Sequence, residues 1–212
     1  FADSGYEIKE FTEVADVYVI NTCSVTNMGD RKSRQIIRRA KKLNPNAVIA
    51  VTGCYAQTAP DEVLAIEGVN LVLGTKDRKN IVTLVEELNT ESNINHVSDI
   101  MSNHEFEELQ IKQYSNRTRA FIKIQEGCNQ FCSYCIIPYA RGPVRSRAKD
   151  DVVREIKELA HNGFKEIILV GIHVASYGVD LGGRRIIKKK IEVDKIDGVE
   201  RISISTIETY TL

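Results

Sequence analysis

The sequence has no excess of charge of either sign and no long apolar run. Its 29 basic residues balance its 29 acidic residues, so the formal net charge of the 212-residue chain is zero. Any contact with nucleic acid must therefore use local basic patches instead of a field from the whole molecule. No apolar run reaches the about 18 residues that a membrane-spanning helix needs, and we predict no membrane span.

The first residues, FADSGYEIKE, also lack the apolar stretch of a secretory signal. We therefore predict a cytoplasmic protein. The chain has no initiator Met and opens within a pattern, so we expect a further segment to precede it. A hydrophobic content of 42% with 27% charged residues is typical of a globular protein of one large or two small domains.

Cysteine is scarce, yet three of the five cysteines lie within eight residues. Cys128, Cys132 and Cys135 form the spacing CxxxCxxC in the stretch GCNQFCSYCIIPYARG, which contains neither a fourth cysteine nor a histidine. In a reducing compartment, clustered cysteines are more often metal ligands or catalytic groups than disulfides. The stretch therefore predicts a metal site.

Three thiolates suit either an iron–sulfur cluster or zinc. A four-iron cluster bound by three cysteines keeps one iron open for a substrate, whereas a structural zinc site is closed by four ligands. A zinc site would need a fourth ligand from outside the stretch, such as His161 or His173. The spacing favours a cluster with an open iron and leaves zinc as the alternative.

Strand and helix patterns alternate along the first ninety residues. The predicted strands are Val17–Ile20, Val48–Val51 and Asn70–Leu73, and the predicted helices are 29–43, 61–66 and 76–88. This alternation predicts an α/β domain with an open parallel sheet of Rossmann or flavodoxin type. Ligands bind beyond the carboxyl ends of such strands. Because Cys23 and Cys54 each follow a strand directly, we predict that they share a site.

A segment rich in Asn, Ser, Glu and His follows and has little periodicity. We predict a linker over residues 91–117, with room for one strand, between a domain at 1–90 and a second domain at 118–212. His96 and His104 lie in this linker, and we expect both to be exposed.

The second domain repeats the α/β pattern. Its predicted elements are strands at Ala120–Ile124, Glu166–Val170 and Val199–Ser205, and a helix at Asp150–Asn162 that Gly163 ends. The basic stretch Leu181–Lys190 has no clear fold signal.

Three strings together resemble the radical S-adenosylmethionine (radical SAM) methylthiotransferases: VINTCSVT, AVTGCYAQ and FIKIQEGCNQFCSYCIIPYARGPVRSR. The resemblance covers nearly all of residues 1–180 and extends weakly to Val199–Ile207. It implies that the second domain is part of a radical SAM partial TIM barrel. It also implies that family members continue beyond both ends of this chain.

The resemblance implies two [4Fe-4S] clusters. Cys128, Cys132 and Cys135 would hold the cluster whose open iron binds SAM. Cys23 and Cys54 would supply two of three ligands to an auxiliary cluster that delivers sulfur. The family places the third auxiliary ligand near its own N-terminus, in a segment that this sequence does not contain.

Several other residues are candidates for SAM contact. Tyr134 resembles the family's aromatic residue near the adenine, although simple packing against the loop is the alternative. Arg141, Arg145 and Arg147 could pair with the SAM carboxylate, the cluster or RNA, or could form surface salt bridges. His173 follows a predicted strand, at the edge of the sheet where ligands bind. Its side chain could contact SAM or could form a structural hydrogen bond. We predict Tyr134, Arg145 and His173 as the cofactor-binding residues.

The helix predicted at 29–43 is strongly basic. Its basic residues are Arg31, Lys32, Arg34, Arg38, Arg39, Lys41 and Lys42. Arg31, Arg34, Arg38 and Lys41 could line one stripe and meet RNA phosphates. The alternative is a solvated face opposite an apolar one formed by Ile36, Ile37, Ala40 and Leu43.

The form of the longest string most resembles the enzymes that act on N6-threonylcarbamoyladenosine beside the tRNA anticodon. The resemblance therefore implies a tRNA methylthiotransferase that modifies C2 of this nucleoside, with an electron donor such as flavodoxin or ferredoxin. The alternatives are methylthiolation of isopentenyladenosine in tRNA, methylthiolation of a ribosomal protein aspartate, and a truncated, inactive relative that binds a cluster and RNA.

Overall fold

The computed structural model describes residues 1–24, 27–88, 91–108, 119–178 and 196–206. The chain divides into two compact units. The first unit comprises Phe1–Asn103 and Cys132–Arg141, and the second comprises His104–Phe131 and Gly142–Leu212. Each unit has its own four-stranded sheet, which confirms the predicted α/β class.

The sheet of the first unit is parallel throughout, as predicted. Its strands, in spatial order, are β1 (Val17–Thr22), β2 (Val48–Gly53), β3 (Leu71–Leu73) and β4 (Ile94–His96). All of β3 and all but the first residue of β2 are buried, which is the pattern of parallel strands covered on both faces. Strand β4 lies within the predicted linker and pairs with β3. The domain boundaries themselves stay a prediction.

The described residues up to Asn103 contain the helices α1 (Asn27–Leu43), α2 (Cys54–Thr58), α3 (Pro60–Leu64) and α4 (Ile81–Glu86). Helix α1 packs through Ile37 and Ala40, which are fully buried. Ile36 was predicted on this face but is exposed. Ser33, one turn before Ile37, lies on the buried face where Ile36 was expected. The Ser33 hydroxyl donates to the Gly29 carbonyl (2.8 Å).

The helix predicted over residues 76–88 is shorter in the structure. A 3-10 turn at Arg78–Asn80 precedes α4, which begins only at Ile81. Asp77 has a φ of 63°, in the left-handed region, and this backbone conformation cannot be part of a right-handed helix.

The sheet of the second unit has the order β6-β5-β7-β8. Its strands are β5 (Arg119–Glu126), β6 (Arg145–Ser146), β7 (Glu166–Gly171) and β8 (Arg201–Thr206). Strands β5, β7 and β8 are parallel neighbours, as part of a barrel requires, and β6 runs antiparallel to β5. The predicted strands are confirmed, and β6 is an addition to them.

Helix α6 (Lys149–His161) covers this sheet and buries Val152, Ile156 and Leu159 in the core of the second unit. Gly163, at a φ of 88°, ends it as predicted. One further helix, α5 (Ile137–Arg141), follows the clustered cysteines. The basic stretch at 181–190 lies outside the described residues. Within the described ranges, no helix combines the length and apolarity needed to cross a membrane.

Candidate metal centre

Cys23 and Cys54 lie at the carboxyl ends of neighbouring parallel strands. Thr22 of β1 is in register with Gly53 of β2, and each cysteine is the next residue along its strand. Cys54 begins α2 and is buried, whereas Cys23 is exposed. The register therefore brings both residues to one edge of the sheet, where a ligand of a parallel α/β fold binds.

Gly53 allows β2 to turn sharply into α2. Its φ is 101°, and a Cβ atom at this position would lie 2.3 Å from the Thr22 carbonyl oxygen. A side chain at Gly53 would therefore force β2 away from β1. The glycine keeps Cys54 close to the first strand.

Buried threonine hydroxyls hold the same edge together. Thr22 Oγ1 donates to the Thr52 carbonyl (2.6 Å) and accepts from the Ala56 amide (3.3 Å). Thr52 Oγ1 donates to the Gly74 carbonyl (2.9 Å), which ties β2 to the end of β3. Sequence reasoning did not single out these threonines, although NTC and VTGC each place one close to a cysteine.

Helix α5 brings a positive charge to Cys54. Thr75 Oγ1 donates to the Ala140 carbonyl (2.8 Å), and the next residue, Arg141, donates from Nε to Cys54 Sγ (3.2 Å). All four residues belong to the first unit. Arg141 was a candidate for pairing with SAM, a cluster or RNA. In the structure, its guanidinium donates a hydrogen bond to the Cys54 sulfur.

The CxxxCxxC stretch is divided between the units. Cys128 belongs to the second unit, and Cys132 and Cys135 belong to the first. All three are partly exposed. Among the described residues, no group of three or more His, Cys, Asp or Glu side chains could hold a metal ion as the side chains stand. The donor chemistry nevertheless fits a cluster, because three accessible soft ligands lie within eight residues.

Gly127 shapes the start of this stretch. Its φ is 74°, and a Cβ atom here would lie 1.9 Å from the Pro143 carbonyl oxygen. The Cys128 amide donates to the Gly142 carbonyl (3.1 Å). Only glycine permits this close return of the chain, so residues 127 and 142 together form the base of the loop.

Gln125 is a buried residue that sequence reasoning missed. Its Nε2 donates to the carbonyls of Glu126 (2.8 Å) and Gly127 (2.7 Å), and its Oε1 accepts from the His173 amide (2.7 Å). It thereby joins the root of the cysteine loop to the loop after β7. The only signal in the sequence was its place at the end of the strand IKIQ, three residues before Cys128.

The structure places two of the predicted SAM contacts at accessible positions. His173 lies just beyond β7 and is partly buried. Its Nδ1 contacts Ser176 Oγ, and its Nε2 lies 3.5 Å from Gln130 Nε2 in the cysteine loop. Tyr134 is 71% exposed. Their contact with SAM stays a prediction.

Arg145 and Arg147 are buried and form ion pairs with Glu126 and Glu155, which are also buried, whereas the further partner of Arg147, Glu108, is exposed. Arg145 is 2% exposed, and its Nη2 lies 3.7 Å from Glu126 Oε2. Arg147 pairs with Glu108 (2.6 Å) and with Glu155. Burial acts to lower the pKa of Arg147, but its hydrogen bonds with Glu108 and Glu155 outweigh this effect and leave the pKa above its usual value.

The basic stripe of α1 is partly engaged within the first unit. Arg34 Nη1 donates to the Tyr55 hydroxyl (2.8 Å), which raises the pKa of Arg34. Lys41 Nζ donates to the Pro45 carbonyl (2.6 Å). Arg31 and Arg38 are exposed. His96 and His104 are exposed, as expected.

Two family models match this chain. Residues 1–74 match the uncharacterized protein family UPF0004, and residues 122–211 match the radical SAM superfamily. The class inferred from the cysteine strings, a radical SAM protein, is therefore confirmed, and this superfamily implies a [4Fe-4S] cluster and SAM as cofactors.

Several curated relatives carry names that refer to the methylthio modification of tRNA. The threonylcarbamoyladenosine tRNA methylthiotransferases MtaB of Bacillus subtilis and Aquifex aeolicus are 51% and 42% identical over 98% of this chain, which covers 47% and 50% of their lengths. A tRNA-2-methylthio-N(6)-dimethylallyladenosine synthase of Sulfurihydrogenibium is 37% identical over 95% of this chain and 47% of its own. The chain belongs to the radical SAM methylthiotransferase family and spans about half the length of the relatives it matches.

A solved structure is also similar in part. The radical SAM methyltransferase TsrM from Kitasatospora setae, with cobalamin and a [4Fe-4S] cluster bound, aligns with a TM-score of 0.49 at 17% identity. The alignment covers 75% of this chain and 38% of that protein.

Proposed function

We propose that this protein is a tRNA methylthiotransferase that inserts a methylthio group at C2 of N6-threonylcarbamoyladenosine beside the anticodon. The observation that carries the proposal is the 51% identity, over 98% of this chain, to a protein named for this modification. Because tRNA is the proposed substrate, we propose that the protein acts in the cytoplasm. A small electron-transfer protein such as flavodoxin or ferredoxin is the proposed reductant.

Cys128, Cys132 and Cys135 are the proposed ligands of the SAM-binding [4Fe-4S] cluster. When bound, this cluster and SAM supply the 5′-deoxyadenosyl radical that activates the substrate carbon. The role of the chain is to position these cofactors. Gln125 and Gly127 support this role, because they set the direction in which Cys128 leaves β5.

Cys23 and Cys54 are the proposed ligands of the auxiliary [4Fe-4S] cluster, which would provide the sulfur. Their position at adjacent strand ends supports a shared ligand role. We propose residues 1–90 as the methylthiotransferase domain that holds this cluster, and residues 118–212 as part of the radical SAM domain.

Tyr134, Arg145 and His173 are the residues proposed to serve SAM binding, Tyr134 and His173 by direct contact and Arg145 indirectly. Tyr134 has an exposed ring that can stack on a flat base. Arg145 is buried against Glu126, so we propose that it acts by holding the base of the loop. We propose that Arg31 and Arg38 contact phosphates of the tRNA, because both residues are exposed.

A second candidate substrate is N6-dimethylallyladenosine, because relatives named for that nucleoside are 37% identical to this chain. The chemistry at C2 would be the same, and the two candidates differ only in the N6 group. The higher identity to the MtaB proteins favours threonylcarbamoyladenosine.

Mass spectrometry of tRNA nucleosides, from cells with and without the gene, tests the substrate. We expect the 2-methylthio form of threonylcarbamoyladenosine to disappear and the unmodified nucleoside to accumulate. Loss of the methylthio form of dimethylallyladenosine would instead support the second candidate. Unchanged tRNA would reject both and point to the ribosomal protein branch or to an inactive relative.

Cysteine variants test the two proposed clusters separately. Cys132→Ala should abolish the release of 5′-deoxyadenosine from SAM under reducing, anaerobic conditions. Cys23→Ala should retain this release and lose methylthio insertion. Ser133→Ala changes an exposed neighbour in the same loop and should leave both reactions intact. If Cys132→Ala still cleaves SAM, the ligand assignment is wrong.

A further inference from the structure

Arg141 makes a direct contact with the sulfur of Cys54. Its Nε donates to Cys54 Sγ over 3.2 Å, and the side chain of Cys54 is only 4% exposed. Arg141 is the last residue of α5 and follows Cys135 by six residues. A residue adjoining the CxxxCxxC stretch therefore contacts a cysteine proposed for the other cluster.

The position of α5 is set by contacts with the first sheet. The Ala140 carbonyl accepts from Thr75 Oγ1 (2.8 Å), and the Thr75 amide donates to Gln57 Oε1 (2.9 Å). Thr75 is 2% exposed, and Ala140 is fully buried. Because the residue before Arg141 is anchored in this way, the fold fixes the backbone position from which the guanidinium reaches Cys54.

A guanidinium at this position has a specific effect on a cluster sulfur. Arginine stays protonated at every physiological pH and donates in a fixed geometry. Hydrogen bonds to ligand sulfurs, and nearby positive charge, favour the reduced state of an iron–sulfur cluster because that state carries one more negative charge. Low exposure of the sulfur strengthens both interactions.

We propose that Arg141 is a positioning residue of the auxiliary site, which donates to the Cys54 sulfur and raises the reduction potential of the cluster bound there. This inference rests on the proposed function, since it requires Cys54 to be a cluster ligand. In this proposal the segment after Cys135 adjoins the SAM-binding cluster and also supports the auxiliary cluster.

The reduction potential of the auxiliary cluster is the readout. The protein at its natural length, carrying Cys128→Ala, Cys132→Ala and Cys135→Ala, retains only the auxiliary cluster. In this background, Arg141→Gln should lower the reduced-to-oxidised ratio at a fixed potential about tenfold, which equals about 59 mV for a one-electron couple. The ratio is measured by electron paramagnetic resonance during an anaerobic redox titration.

Two further variants separate charge, hydrogen bonding and folding. Arg141→Lys keeps the charge and a donor, and it should recover part of the shift. Arg154→Gln makes the same change of net charge on the exposed face of α6, and it should leave the potential unchanged. If Arg141→Gln fails to fold by circular dichroism, Arg141→Lys becomes the decisive variant and should show a smaller shift in the same direction.

The outcomes distinguish the inference from the proposed function. A cluster with an unchanged potential in both Arg141 variants overturns the inference and leaves the proposed function intact. A shift equal to that of Arg154→Gln also overturns it, because net charge alone would then be the cause. If the background with Arg141 intact binds no cluster, both the auxiliary cluster and this inference are rejected.

Discussion

The two units bury different kinds of polar side chain. In the described part of the chain, the buried polar residues of the first unit are all neutral: Thr22, Ser33, Thr52, Gln57, Asn70, Thr75 and Asn103. The second unit also buries four charged residues: Glu126, Arg145, Arg147 and Glu155. Both units nevertheless share one feature, because each holds a Gly–Cys pair at the end of a parallel strand.

The difference shows how each unit supports its cysteine. In the first unit, neutral side chains complete the backbone hydrogen bonds of the sheet, as Asn70 does for the Ile49 amide (2.8 Å). In the second unit, ion pairs surround β6, the short strand that follows the cysteine loop. Buried ion pairs cost desolvation energy and seldom add net stability. In this unit the pairs of Arg145 and Arg147 connect the chain at β6 to Glu126 of β5 and to Glu155 of α6.

The largest expected effect is that of removing one member of a buried ion pair. Arg147→Met should lower the free energy of unfolding of the second unit by about 3–5 kcal/mol, because Glu155 would remain buried without its partner. Hydrogen exchange of amides in β5 and β7, measured by mass spectrometry, reports the change within that unit.

The double variant Arg147→Met with Glu155→Leu is the control for this first change. Removing both charges should restore most of the lost protection. A double variant as unstable as Arg147→Met alone would contradict the role assigned to the ion pair.

The next largest effect should come from the glycine before Cys128. Gly127→Ala combines a left-handed backbone with a Cβ atom 1.9 Å from the Pro143 carbonyl oxygen, and it should cost about 3 kcal/mol. Gly163→Ala is the matched control, since its φ is 88° but open space surrounds the new Cβ atom. It should cost about 1 kcal/mol. If both variants lower the free energy of urea unfolding by the same amount, the close approach of the new Cβ atom to Pro143 has no effect at Gly127.

A smaller effect is expected at Gln125, a neutral buried residue of the second unit. Gln125→Leu leaves the His173 amide and two carbonyls without this partner, and it should destabilise the second unit by about 2 kcal/mol. Hydrogen exchange at residues 171–174 should rise more than exchange in α6. Uniform loss of protection would indicate a packing defect in place of a released loop.

The smallest effect should be seen at the matching position of the first unit. Thr22→Val keeps the shape of the side chain and removes its hydrogen bonds with Thr52 and Ala56, at a cost of about 1 kcal/mol. Thr83→Val, at an exposed position on α4, should be close to neutral. A loss at Thr22 as large as that at Arg147 would remove the contrast between the two units.

Local patterns were sufficient for most strands and for the long helices. Apolar periodicity predicted α6 to within one residue at each end, and it predicted both strands that lead to Gly–Cys pairs. It did not predict α2 or α5, which have five residues each and show no clear apolar period, although it did predict the equally short α3 as the helix at 61–66. Ile36 was misplaced because the choice between adjacent faces of α1 depends on what packs against them.

The sequence by itself indicated a metal site and the family of this protein. The number and spacing of the clustered cysteines predict the metal site, and the three strings around the cysteines resemble the radical SAM methylthiotransferases. Only the tertiary structure decided that Arg141 meets Cys54, 87 residues earlier, and that Gln125 holds the His173 amide, 48 residues later. Such contacts join segments that are distant in sequence, and no local period encodes them. They arise only when the strands pair and the loops at their ends are brought together.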